Sequence, residues 1–548
     1  MSASTSWLSH IILILLILAS LAFTSKRLMR LLHYFQQEEY DNARFLSWIW
    51  RHGLDRYVSM VLVLLGCTMG IMVSPLFSVL AASTLMMSFL RETDPRRADQ
   101  SKKPLAMTPR AYRLLIVAFS LVLILALLAF MDIDLAARGP GYPIALALVV
   151  VIQLLPVLLV AANILLWPLE EAGRRRYLRE AKAKLERLKP CVIGITGSFG
   201  KTSCKHILGH ILSAQSPTLV TPGSVNTLLG VAGVVRGQLS DQHRFFVVEM
   251  GAYGPGSIDR LCRLFPPNHA AITAIGTAHY ERFKTLSAVA QAKFEIATAA
   301  TAQGGTVVLN IDAMDEEFWQ SRVEPDHFCL VSAQDHPEAP TIRILHVSQT
   351  TAGLSFTLRH QGQDYAIQAP LWGVHHVGNM AVAFALAVRC GVSPVMAAAA
   401  LSHMPQISHR LEVRRTPGAP TVIDDAYNSN PGGFQVALEV LDLLAKESKG
   451  RRILVTPGLV ELGVRHDPEH RFLGEQSAQW ADIVLVIAAI RIPTFMQGLR
   501  ASERQDLQIE TFPGFAAAKA WLNSNLRNND VVLYENDLPD LYESPPKW

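Results

Sequence analysis

The chain has 548 residues, 50% of them hydrophobic, and a mean hydropathy of +0.24; it is too long for one compact domain and too apolar for an ordinary soluble enzyme. A formal charge of +4 gives no support for nucleic-acid binding, and the basic residues cluster beside apolar runs instead. Six cysteines without a CxxC pair fit neither a disulfide framework nor a zinc ribbon and read as reduced cytosolic thiols.

Trp7 to Thr24 is a nearly continuous apolar run of about the length that crosses a hydrocarbon core, followed at once by Lys26, Arg27 and Arg30. Charges after the run, not before it, argue for a first span over a secretory signal. Tyr57 to Leu90 is about twice one span, broken near Ser74 and Pro75, and reads as a helical hairpin or re-entrant pair. Arg44, Arg51 and Arg56 precede it, and Arg91, Arg96, Arg97, Lys102 and Lys103 follow, so both flanks prefer the cytoplasm and the crossings between them are even in number.

Leu114 to Met131 and Tyr142 to Trp167 are two further spans, joined by an outward loop whose only basic residue is Arg138. The spans hold no acidic or basic residue, with His10 and Gln153 as their polar positions of note, and so read as an anchor more than a transport pathway. Arg174, Arg175, Arg176, Arg179, Lys182, Lys184, Arg187 and Lys189 then predict an amphipathic linker helix over 171–189 that lies against anionic headgroups. The expected architecture is a multi-pass α-helical region over 1–170 with about five apolar segments. Everything past the linker is expected on the cytoplasmic side of a bacterial inner membrane, where ATP is.

Cys191 to Ile195 reads as a buried strand, Thr196-Gly197-Ser198-Phe199-Gly200-Lys201-Thr202-Ser203 as a glycine loop, and Cys204 to Leu212 as a helix. In such a loop backbone NH groups close around phosphate oxygens, Lys201 reaches the β- and γ-phosphates, and the Thr202 hydroxyl ligates magnesium. The spacing is shorter than the ordinary Walker pattern, because Ile195 stands where its first glycine would be. Phe245-Phe246-Val247-Val248-Glu249 is a second strand ending in a hard oxygen ligand. Val422-Ile423-Asp424-Asp425-Ala426-Tyr427-Asn428-Ser429-Asn430-Pro431 ends a third strand in two carboxylates before a helix over Phe434 to Leu444, and strands at Arg452 to Thr456, Ile483 to Ala488 and Val531 to Tyr534 complete a Rossmann-like pattern.

These motifs, in this order, resemble the Mur ligase family. Gly276-Thr277-Ala278-His279 is similar to its metal-site histidine loop, and Ala292-Lys293-Phe294-Glu295 to the helix whose lysine is carbamylated. Gly373-Val374-His375-His376-Val377-Gly378-Asn379 is similar to its Gly-x-His-Asn-x-x-Asn motif, with His376 in place of the first asparagine, and His409-Arg410-Leu411-Glu412 to the start of its C-terminal domain. The Asp-Asp-x-Tyr-Asn-x-Asn-Pro motif points within the family towards the branch that adds D-alanyl-D-alanine to UDP-N-acetylmuramoyl tripeptide. The resemblance implies a central ATP-binding domain of P-loop NTPase type over 190–407 and a C-terminal Rossmann-like domain over 408–548.

By the same resemblance the catalytic candidates are Lys201, Glu249, His279, Lys293 and Arg410. Gly197, Ser198, Gly200, Lys201, Thr202, Ser203, Asn379, Arg410 and Asp425 are implied to bind ATP, with Asn379 on adenine and Asp425 on ribose. Thr202, Glu249, His279 and a carbamylated Lys293 are implied to hold two magnesium ions, and Asn226, Thr227, Tyr427, Asn428 and Asn430 to bind substrate. The implied reaction phosphorylates a carboxylate, and an amine then attacks the acyl phosphate. The family's soluble N-terminal domain has no counterpart here, and apolar segments stand in its place, so the expected carboxyl substrate is a peptide precursor presented at the membrane, on a lipid carrier or beside a membrane biosynthetic partner. A ligase for a secreted poly-amino acid or small peptide and a P-loop switch or kinase stay open as alternatives.

Overall fold

The computed structural model describes residues 2–38, 40–52, 105–131, 141–276, 283–322, 324, 326–336, 340–427, 430–460 and 462–536. They form two compact units, one within residues 1–175 and one within 176–538.

The first unit holds α1 (Ser2–Gln37), α2 (Asn42–His52), α3 (Pro109–Met131) and the greater part of α4 (Gly141–Leu188). Leu31, Leu32, Phe35, Phe45, Leu114, Ala118 and Leu159 close its core. Among the described residues two segments are long and apolar enough to cross a membrane, Pro109–Leu128 and Leu154–Leu188, with 22% and 33% of their windows buried. Leu123, Ile124, Leu127, Leu128, Ile164 and Leu165 face outward. Each is about half exposed, so leaving it in water forgoes roughly half of the 1.5–3 kcal/mol that full burial brings, and apolar surface of this kind matches lipid or a partner.

Of the five expected apolar segments, the described residues thus contain two of spanning length and hydropathy. The Trp7–Thr24 run lies within α1, whereas Tyr57–Leu90 and the loop at 132–140 lie outside the described residues. Asn163 is a polar member of the last run that the sequence reading passes over. Its Oδ1 accepts from Arg110 Nη2 at 3.1 Å, and its amide donates to Asn42 Oδ1 at 3.0 Å and to the Tyr40 carbonyl at 3.3 Å. A buried amide is tolerated when its donors and acceptors are matched in this way.

The expected linker helix over 171–189 forms the end of α4. Residues 171–188 continue α4, and Leu178, Ala181 and Leu185, at helical spacing, are buried in a core shared with Val231, Val235 and Leu239. The apolar stripe is therefore covered by protein. Its basic face is partly neutralised too, with Glu180 bound to Arg176 and Arg236 and Arg236 lying over the Tyr177 ring at 4.1 Å.

The second unit then runs through β1 (Cys191–Thr196), α5 (Lys201–Ser213), β2 (Thr218–Val220), α6 (Leu228–Gly237), β3 (Phe245–Glu249), α7 (Ser257–Leu264), β4 (His269–Ile272), α8 (Leu286–Thr301), β5 (Val307–Asn310), β6 (Phe328–Ser332), β7 (Ile342–Thr350), β8 (Gly353–His360), β9 (Gln363–Ala369), α9 (His375–Arg389) and α10 (Pro394–Ser402). One sheet takes the order β2-β3-β1-β4-β5-β6-β7-β8-β9, parallel as far as β7 and antiparallel from β7 to β9. The parallel strands are continuous apolar runs because both faces are covered, by the two cores built around Val192 and Ile193. Strand order reverses beside β1, so the crevice at the carboxyl ends of β1, β3 and β4 is the place where such sheets take ligands.

A second sheet follows, from β10 (Glu412–Arg414), β11 (Thr421–Asp425), α11 (Pro431–Ser448), β12 (Arg452–Thr456), α12 (His466–Trp480), β13 (Ile483–Ile487), α13 (Pro493–Arg500), β14 (Gln508–Phe512), α14 (Phe515–Asn525) and β15 (Val531–Glu535). Its order is β10-β11-β15-β12-β13-β14, parallel except for β10. The expected Rossmann-like pattern is present, and β11 delivers Asp425 to its carboxyl end.

Candidate active site

Gly200 ends the glycine loop at φ +78° and caps α5 without any side-chain hydrogen bond, so the first NH groups of the helix are open to an anion. A methyl group at Gly200 would run into the Asn379 carboxamide, and one at Gly197 (φ +157°) into the Thr273 hydroxyl. Both glycines are demanded by close approach. The loop is braced on the β4 exit: Ser198 N donates to the Ala274 carbonyl at 2.8 Å, and Ser198 Oγ donates to the Gly276 carbonyl at 3.0 Å and accepts from Gly276 N at 2.9 Å. Lys201 Nζ folds back onto the carbonyls of Gly197 (2.8 Å) and Ser198 (3.3 Å).

Glu249 is 1% exposed at the end of β3. Its Oε2 accepts from Thr202 Oγ1 at 2.9 Å and from Lys205 Nζ at 3.0 Å, and its Oε1 accepts from Asn226 Nδ2 at 3.1 Å. Burial alone would raise its carboxyl, but Lys205 and Lys201 outweigh that and hold it below the usual range. Thr202 and Glu249 together offer a hydroxyl and a carboxylate beside the phosphate loop, the hard oxygen donors that magnesium prefers.

Lys293 is 4% exposed on α8, and burial together with Lys201 pulls its ammonium well below its ordinary range. Glu295, two residues on, turns away to accept from Gly256 N (2.7 Å) and Asp259 N (2.8 Å).

The second sheet closes the site from the other side. His409 (φ +60°) and Leu411 (φ +50°) are both left-handed and flank Arg410. Arg410 lies over the Tyr427 ring at 5.1 Å, and Asp425 Oδ1 accepts from Leu411 N at 3.1 Å. Burial pushes the Asp425 carboxyl up to about 6 against the pull of Arg410.

One cavity of ≈ 730 Å³ brings together Ser198, Gly200, Lys201, Thr202, Ser203, Asn226, Glu249, Lys293 and Asn379 from the first sheet with Arg410, Asp425, Tyr427 and Asn430 from the second. A phosphate loop, a carboxylate–hydroxyl pair and a buried amine on one wall face an arginine and an aspartate on the other. Residues 195–387 match the Mur ligase middle domain, and residues 409–534 match the domain described as Mur ligase, glutamate ligase domain. The UDP-N-acetylmuramoyl-tripeptide–D-alanyl-D-alanine ligase of Mycobacterium tuberculosis is 30% identical over 372 residues, 62% of this chain and 69% of the relative. This chain belongs to the Mur ligase family.

The ligase of the same name from Bacillus subtilis is 31% identical, over 54% of this chain and 62% of its own length, so the chain spans less than two thirds of that relative. A MurF crystal structure from Acinetobacter baumannii superposes with a TM-score of 0.57 at 26% identity, covering 66% of this chain and 77% of that one. A MurF ligase from Thermotoga maritima in complex with ADP shares the fold, with a TM-score of 0.56 at 23% identity over 67% of this chain and 81% of that one.

Within this Mur ligase, two expected positions among the described residues stand apart from the cavity wall. Gly197 lies behind the loop, against Thr273. Thr227 caps α6, its side chain accepting from Gly230 N at 3.3 Å. His279 and Asn428 lie outside the described residues. Asn430 both lines the cavity and caps α11 by accepting from Gly433 N at 3.1 Å.

The sequence reading misses Lys205 and Asn310 and names His376 without giving it a role. Lys205, 0% exposed, contacts Glu249; its signal is a lysine one turn past Lys201 on the same helix face. Asn310, at the end of β5, and His376, the motif's departure, line the cavity with buried polar atoms, Asn310 Oδ1 and His376 Nδ1, that have no hydrogen-bond partner among the described residues. Burial holds the His376 ring neutral at pH 7.

Proposed function

We propose that this Mur ligase is an ATP-dependent carboxylate–amine ligase working through an acyl phosphate, and that it adds D-alanyl-D-alanine or another amino compound to a cell-wall peptide precursor. The observation that carries the reading is the single cavity in which the phosphate loop and the Glu249–Thr202 pair face Arg410 and Asp425. Relatives named as ligases of UDP-N-acetylmuramoyl tripeptide with D-alanyl-D-alanine supply the substrate class.

In this reading the loop NH groups and Lys201 cradle the ATP phosphates, Asn379 contacts adenine and Asp425 the ribose. Thr202 and Glu249 would hold one magnesium ion, and His279 with a carbamate on Lys293 a second; the metal supplies charge neutralisation for phosphoryl transfer. Arg410, flanked by its two left-handed neighbours, faces the developing charge from the second sheet. Asn226, Tyr427 and Asn430, which line the cavity, would hold the acceptor and the amine, a role the family resemblance also implies for Asn428. Apposition of the two sheets keeps water from the acyl phosphate, whose hydrolysis would waste ATP.

The outward apolar surfaces of α3 and α4 support a membrane anchor, with the catalytic unit on the cytoplasmic side and the boundaries at 170, 189 and 407 as domain limits. In the anchored form the carboxyl substrate is presented at the membrane. Full-length protein given ATP, magnesium and a panel of D- and L-amino acids and dipeptides should release ADP only when the right amine and a peptide carboxylate are both present. Amine-independent ADP release would point to a switch or kinase instead. Unchanged turnover of soluble UDP-muramoyl tripeptide after deletion of the apolar helices would defeat the membrane-presentation part alone.

A further inference from the structure

Lys205 and Lys201 leave α5 one turn apart, and they do different things. Lys201 turns to the glycine loop, whereas Lys205 Nζ donates to Glu249 Oε2 at 3.0 Å and to the Gly223 carbonyl. With Thr202 on the same oxygen at 2.9 Å, Oε2 is saturated; among the described residues Oε1 accepts only Asn226, which leaves it one lone pair. The Asn226 carboxamide in turn accepts from Tyr253 Oη at 2.7 Å, and its backbone carbonyl from Gly251 N at 3.0 Å. One buried cation thus joins α5, the carboxyl end of β3 and the 221–227 loop, whose Asn226 faces the cavity. A carboxylate this deeply buried is costly unless paired, and removing a single partner exposes the whole cost.

We propose that Lys205 is a positioning residue of the metal site: a built-in cation that compensates Glu249 before a divalent ion arrives and locks its free oxygen towards the ion. The proposal rests on the reading of Thr202 and Glu249 as metal ligands. It has a consequence that packing alone would not produce. Once a divalent ion supplies positive charge beside Glu249, the charge of Lys205 becomes partly redundant for stability, so its loss should be felt most in metal-free protein.

The test compares thermal unfolding of full-length wild type and Lys205→Met, each with ADP, in EDTA and in excess Mg²⁺. The expected result is a midpoint about 4 °C or more below wild type in EDTA, and less than half that deficit with Mg²⁺. A second variant, Lys205→Met combined with Glu249→Gln, removes both charges; it should regain metal-free stability and lose the response to Mg²⁺. Equal deficits in the two conditions, or a double variant no more stable than the single one in EDTA, overturn the proposal. If Lys205→Met does not fold without metal, the double variant decides: its folding supports the proposal and its failure overturns it. A wild-type ADP complex indifferent to Mg²⁺ would remove the metal-site reading itself, and the proposal with it, and that outcome is visible without any variant.

Discussion

Asp425 offers a pH test of whether the second sheet is docked over the site in the ligand-free protein. Its carboxyl moves from an ordinary 3.8 to about 6 because docking buries it, with Arg410 and Leu411 N opposing the rise. A raised folded-state value means the folded protein holds this proton more tightly than the unfolded chain. The contribution to stability is therefore fully present below pH 3.8 and lost as pH rises through 6. A difference of about 2 pH units is worth roughly 3 kcal/mol at most, or about 6–12 °C at 2–4 °C per kcal/mol for a domain of this size. Asp425→Asn keeps an oxygen for Leu411 N and removes the titration. Thermal midpoints of wild type and variant, taken from pH 4 to 7.5 without nucleotide, should diverge across that window, with wild type losing ground as pH rises. Parallel curves would refute the reasoning, because an exposed Asp425 has no reason to hold its proton.

Lys201→Ala should reduce ATP turnover by at least ~10²-fold while leaving membrane insertion intact, and preserved turnover would sink the phosphate-loop assignment. Lys293→Ala should lose activity that short carboxylic acids partly restore; full activity without additives would count against a carbamate. Gly200→Ala forces a methyl group into a left-handed residue at about 1–2 kcal/mol and against Asn379, so nucleotide affinity measured by calorimetry should fall about tenfold or more.

Motifs whose chemistry is contained within a few consecutive residues were legible before folding. The glycine loop, Glu249 at its strand end and the Asp425 turn all sit where strand and loop patterning puts them, and the structure gathers them at the carboxyl ends of parallel strands. Lys205 was not legible, because a lysine on a helix reads as solvated until the partner that justifies its burial is known. Thr227 carries a second role that only the structure shows: its side chain caps α6.

The linker helix marks the boundary most clearly. Basic residues alternating with Leu178, Ala181 and Leu185 determine an amphipathic helix, but amphipathicity fixes only that the stripe needs a cover. Lipid and a protein core are equally good covers for leucine, and the choice fell to the nucleotide domain. The cysteines behave likewise. Scattered through the sequence, Cys191 and Cys390 converge with His269 so that their donor atoms lie within 4.8 Å, at the opposite ends of the strands from the cavity. His269 Nδ1 accepts from Thr306 N at 3.2 Å, which leaves the ring proton on Nε2 and disfavours metal binding through that nitrogen. Local patterning by itself determined the strands, the loop and the apolar runs, because those depend on neighbours along the chain. Which buried charge meets which partner, and what covers each apolar face, depends on neighbours in space, and only the tertiary structure decided it.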